Sequence, residues 1–76
     1  MGLLDTLGKR IKALRADLGM SQKDLAFRLG TPPSHLSDIE ADKVPRVSGE
    51  MLAKIADILG TTTDYLTIRT DDPLPA

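Results

Sequence analysis

Between Ser21 and Glu40 the chain reads SQKDLAFRLGTPPSHLSDIE, and few folds accommodate that punctuation. Ser21 followed three residues later by Asp24 is a capping-box-like start. The hydroxyl serves an orphan backbone N–H, and the carboxylate suits the positive end of the helix dipole. Leu25, Ala26 and Leu29 then recur at helical spacing, and Gly30 stands where a helix closes with a positive φ. Thr31 reads as the cap of a following helix with Pro32 at its first position, where a missing N–H costs nothing. Leu36 and Ile39 supply the inward face of that helix. The stretch is therefore two short helices across a tight glycine turn, with a small Ala26 permitting close approach.

The remaining sequence repeats this grammar. Leu7, Ile11, Leu14 and Leu18 follow i, i+4, i+7, i+11 spacing, an amphipathic helix that begins at Asp5 or Gly8. Leu18-Gly19 closes it, as Leu29-Gly30 and Leu59-Gly60 close later helices. After the paired helices, ADKVPRV is a polar loop in which Pro45 blocks helix continuation. Ser48 with Met51, Leu52, Ile55, Ala56 and Leu59 makes a fourth helix. Residues 61–68 form a short fifth helix using Tyr65, Leu66 and Ile68. The DDPLP-containing end, residues 71–76, is expected to be a flexible tail beyond a domain spanning 1–70. Five short helices with brief connections and no strand signal predict an all-α orthogonal five-helix bundle, and Ser21–Glu40 within it is a helix-turn-helix.

Seventy-six residues make one domain close to the size at which a single core barely suffices, and one Phe with one Tyr means that core is aliphatic. The absence of cysteine excludes disulfides and thiolate metal sites and fits a reducing cytoplasm. MGLLDTLGKR has too short an apolar run for a signal peptide, and no segment is long enough to span a membrane. No cofactor is expected. His35 is the sole histidine, so zinc lacks partners. Ser34, His35 and Asp38 share one short helix without an oxyanion hole, so catalysis is not expected. Net charge is −1, but it is unevenly spread. Residues 1–46 hold eight Lys/Arg against six Asp/Glu, whereas 47–76 hold two against five. The mildly basic half thus carries the paired helices, which weakly favours an anionic partner there.

Through GMSQKDLAFRLG, LSDIE and LAKIADILGTTTDYL, the sequence resembles the phage repressor/Cro (XRE) family of DNA-binding domains over about residues 7–68. The resemblance implies a lambda-repressor-like fold and a transcriptional regulator, a repressor, that binds a two-fold double-stranded DNA operator as a homodimer. It also implies that the third helix lies in the major groove, that Gln22 touches the DNA backbone or a base edge, and that the 42–47 loop approaches phosphates. Arg15 and Glu40 stand where this family often pairs a helix-1 arginine with a glutamate ending the third helix. The residues expected at DNA are Gln22, Lys23, Thr31, Pro33, Ser34, Ser37, Asp38, Lys43 and Arg46. Tyr65, Leu66 and Ile68 give the fifth helix more apolar surface than so short an element buries alone, and Tyr65 and Ile68 are the candidate dimer contacts.

The departures from the family pattern are informative. The outward face of the third helix offers Pro33, Ser34, Ser37, Asp38 and Ala41, none of them Arg, Lys, Gln or Asn, the side chains that read purines bidentately. Asp42 occupies a position where the family often has glycine. Gln22 is either a DNA contact or simply a good helix former, and Lys43 and Arg46 are either phosphate clamps or solvated loop charges. His35 is expected to fill the flank of the third-helix packing. Phe27 falls on the outward side of the second helix, to be covered by a loop or Met side chain or else to serve as a protein partner surface. A protein-interaction module on the same fold, such as an antitoxin, is therefore the alternative function.

Overall fold

The computed structural model describes residues 6–67. Within them are α1 (Leu7–Asp17), α2 (Gln22–Leu29), α3 (Pro33–Glu40), α4 (Gly49–Leu59) and α5 (Thr63–Leu66), and no strand. Four of the five helices start on a hydroxyl. Thr6, Ser21, Ser48 and Thr62 accept from the backbone N–H of Lys9, Asp24, Met51 and Tyr65 at 3.0–3.2 Å, each satisfying an orphan donor for about 1 kcal/mol. The cap on Thr6 fixes the start of α1 at Leu7, neither Asp5 nor Gly8. The exception is α3, whose N-cap is Pro32, with no side-chain hydrogen bond. Thr31 is not its cap, and Pro33, not Pro32, opens it. The reason is steric: a residue preceding proline is driven out of the α region, and Pro32 sits at φ −62°, ψ 144°.

Four helix ends share one closure, in which an N–H reaches back five residues: Met20 to Arg15, Thr31 to Ala26, Lys43 to Asp38 and Thr61 to Ala56. Each places one residue in the left-handed region. Three of these are Gly19, Gly30 and Gly60; the fourth is Asp42 at φ +59°. A side chain there costs about 1 kcal/mol. Asp42 offsets that cost: Oδ2 accepts from the Thr6 hydroxyl at 2.7 Å, and Oδ1 accepts from Gly8 N at 3.0 Å. The carboxylate thus caps the N-terminus of α1 and locks it to the end of α3. Asp42→Ala is expected to destabilise by about 2 kcal/mol, because the strain stays and the bonds go, while Asp42→Gly costs less. Urea midpoints of the two variants check this; an alanine variant as stable as the glycine variant would contradict the clasp.

The core is Ile11, Leu25, Ala26, Leu29, Leu36, Ile39, Ile55, Ala56, Leu59, Tyr65 and Leu66. Helix α3 packs on α1 and α2, while α4 bridges α1, α2 and α5. Leu18 departs from the expected stripe. It lies past the last turn of α1, where the helical face no longer continues, and is exposed. Its place on the stripe is taken by Arg10, three residues after Leu7 and four before Leu14, and 5% exposed. The Arg10 guanidinium sits 4.2 Å from the centre of the Tyr65 ring, and its Nη1 donates to the Tyr65 carbonyl at 2.7 Å. Burial of this cation is tolerated because it is hydrogen-bonded and stacked.

Candidate nucleic-acid interface

The face carrying the candidate contacts is built on one ionic network. Arg15 Nε donates to Glu40 Oε2 at 2.9 Å and Nη2 to Oε1 at 3.0 Å, a two-pronged pair. Arg15 Nη1 donates to the Met20 carbonyl at 2.9 Å, and Gln22 Nε2 donates to Glu40 Oε1 at 3.2 Å. The Glu40 side chain is 4% exposed and that of Arg15 14%. One carboxylate at the end of α3 therefore gathers α1, the α1–α2 turn and the first residue of α2. Among the described residues no buried side-chain polar atom lacks a partner.

Above this network lies a cleft of about 330 Å³ lined by Lys12, Arg15, Gln22, Ser37, Glu40 and Ala41. Gln22 is half-buried, with an amide hydrogen already given to Glu40, so its orientation is set from within. Pro33, Ser34, Ser37 and Asp38 are all exposed on α3 opposite the buried Leu36 and Ile39. His35 is exposed as well, correcting its expected place in the packing. It lies one residue before Leu36, some 100° around the helix from the buried face. Lys23 is exposed on α2, and Thr31 is half-buried in the turn, its N–H spent on Ala26.

In the 41–48 loop, Val44 and Val47 pack against the core while Lys43, Pro45 and Arg46 are exposed. The apolar pair pins the loop and turns its two cations outward. Asp42, in the same loop, spends its charge on the N-terminus of α1.

Phe27 and Tyr65 differ in what they leave for a partner. Phe27 is 86% exposed, so no loop or Met side chain covers it; Met20 packs against the core instead. Tyr65 is 6% exposed, held by Arg10 of α1 and the core, so it has little surface to offer a second copy; this distant arginine is the partner that an apolar count along α5 overlooks. The fifth helix spans only Thr63–Leu66, and Ile68 lies outside the described residues, as does the 71–76 tail. No helix of the described residues is long and apolar enough to cross a membrane.

Comparison with known proteins agrees with this architecture. The chain matches the helix-turn-helix family over residues 11–66. It is similar to SinR, the master regulator for biofilm formation, in its crystal structure in complex with DNA: 33% identity, TM-score 0.75, covering 80% of this chain and 97% of that one. The N-terminal DNA-binding domain of SinR from Bacillus subtilis matches at 33% identity and TM-score 0.73, over 79% of this chain and 87% of that one. In the SinR–SinI protein complex the match is 33% identity and TM-score 0.75, over 80% of this chain and 59% of that one. The chain belongs to the helix-turn-helix family of the phage repressor/Cro (XRE) type.

Proposed function

We propose that this chain is a cytoplasmic transcriptional regulator, a repressor, that binds a two-fold double-stranded DNA operator as a homodimer with α3 in the major groove. The observation that carries this is the exposed, polar outward face of α3, held at its C-terminal end by the Asp42 clasp and the Arg15–Glu40–Gln22 network. The likeness to SinR bound to DNA supports it. Lys23, Thr31, Lys43 and Arg46 contact the backbone, Gln22 the backbone or a base edge, and Pro33, Ser34, Ser37 and Asp38 face base edges. Self-association through Ile68 holds two α3 helices about one turn of DNA apart, roughly 34 Å. Binding weakens as salt rises, with a slope equivalent to about three to five phosphates per protomer, because few cations face the duplex. Titrations at several salt concentrations test this, and no duplex binding at low salt would overturn it.

Asp38 sets what the domain refuses. Near phosphates its carboxylate repels; near a cytosine N4 amino group it accepts. Asp38→Asn keeps the shape and removes the charge. It is expected to tighten binding to random DNA and to shift preference at one position per half-site by about tenfold or more. Parallel titrations of both proteins against operator and random duplexes check it; unchanged affinities would mean Asp38 does not enter the groove.

A second reading, a module such as an antitoxin whose main partner is a protein, is favoured by the 86% exposure of Phe27. That SinR forms a protein complex with SinI lends it weight. Phe27→Ser leaving DNA binding intact while abolishing capture of a protein would support it.

A further inference from the structure

One charge in the cleft between α1, α2 and α3 is unpaired. The Glu40 carboxylate accepts from Arg15 at both oxygens and from Gln22 at one, so the guanidinium already neutralises it. Lys12 lines the same cleft and is exposed, and no hydrogen bond or ion pair joins its ammonium to any other of the described residues. The positions three and four away on α1, from which a partner would reach it, are Gly8, Lys9, Arg15 and Ala16. None is acidic, and two carry its own sign. Lys54 on α4 is the contrast: Glu50 stands four residues before it, and the two approach to 3.9 Å. Lys12 and Arg15 against Glu40 leave the cleft lining with one positive charge in excess.

The cleft also holds an oriented neutral donor. The Gln22 amide carries two hydrogens. It gives one to Glu40 at 3.2 Å, and the other has no acceptor among the described residues. Because Glu40 is itself held by Arg15, the amide is positioned before any ligand arrives. Ser37 belongs both to the cleft lining and to the outward face of α3, so the cleft borders the surface proposed to meet the duplex. A lone ammonium beside a preset N–H suits a monoanion with two free acceptor oxygens, and a phosphodiester is such a group.

We propose that this cleft seats one backbone phosphate of the duplex, with Lys12 supplying the countercharge and Gln22 the fixed donor. The proposal rests on the DNA reading and adds α1 to an interface otherwise drawn from α2, the α2–α3 turn, α3 and the 41–48 loop. Lys12 joins Lys23, Lys43 and Arg46 as a fourth cation at the duplex. A phosphate contact carries no sequence information but fixes register. The cleft is walled by three helices, so a phosphate held in it sets how α3 lies in the groove.

The test compares wild type, Lys12→Ala, Lys12→Arg and Lys54→Ala, all altered only at exposed side chains, on one duplex across a salt series. Lys12→Ala should weaken binding about fivefold to tenfold at low salt and lower the salt slope by about 0.9 per protomer, equally on operator and random sequences. Lys12→Arg keeps the charge and should bind as wild type does; Lys54→Ala should change nothing. In a scan that replaces single phosphates with uncharged methylphosphonates, one position per half-site should weaken wild type yet leave Lys12→Ala unaffected. Wild-type affinity and slope in Lys12→Ala overturn the proposal and leave the DNA reading standing. Weaker binding with an unchanged slope, or with every methylphosphonate still felt by Lys12→Ala, overturns it too. A wild-type protein that binds no duplex removes both.

Discussion

Gly8→Ala should lower the stability of the domain by about 2–4 kcal/mol, one of the largest effects of any single methyl group in the chain. A Cβ at position 8 would overlap the Glu40 carbonyl group, with its carbon 2.7 Å away and Asp42 Oδ1 2.8 Å away. These are backbone and clasp atoms, not the free end of a flexible side chain, so α1 must back away from the end of α3. Alanine is the better helix former by about 0.8–1.0 kcal/mol, which reduces the cost without cancelling it. Thermal or urea unfolding of the variant measures the net effect. A variant as stable as wild type would mean that α1 and α3 are not in close contact there.

The second large effect lies in the Arg15–Glu40 pair. Removing one member of a buried pair strands the other, and the more buried the stranded group, the greater the cost. Glu40 is the more buried, so Arg15→Met, which leaves that carboxylate with only the Gln22 amide, should cost about 3–4 kcal/mol. Glu40→Leu leaves Arg15 with the Met20 carbonyl and some solvent, and should cost about 2–3 kcal/mol. The double variant should recover much of the loss, because two apolar side chains replace two desolvated charges. Denaturant midpoints for the three proteins complete the cycle. Additive losses of less than about 1 kcal/mol each would place both residues among ordinary surface pairs.

Local chemistry was the legible part of this fold. The Ser21 cap, the Gly30 and Gly60 closures and the α4 face depend on residues within one or two turns of each other, and their signals stand in the order of the letters. Contacts between distant segments left fainter traces. Gly8 reads as one more Leu-Gly pair until the Glu40 carbonyl is known to lie against it. Arg10 sits on the apolar stripe by simple helical arithmetic, yet its partner is 55 residues away on α5. Asp42 looked like a mere departure from glycine; its role as a clasp depends on Thr6 and Gly8, some 35 residues earlier. The α3 start falls one residue later than the capping preference of Thr31 predicts, because the constraint of Pro33 on Pro32 outranks it. At the candidate interface, the polar identity of the α3 face was legible from helical spacing, while the exposure of His35 and Phe27 depended on what neighbouring elements failed to cover.

The central claim, that α3 reads duplex DNA in a two-fold arrangement, is tested most directly by selecting bound sequences from a pool of randomised duplexes with the wild-type protein. The account predicts an enriched, inverted-repeat site with half-sites centred about 10 base pairs apart, and loss of that enrichment when Ser34 and Ser37 are replaced by glutamate. A pool that emerges without enrichment, or one whose enriched sequence is unchanged by those replacements, would contradict it.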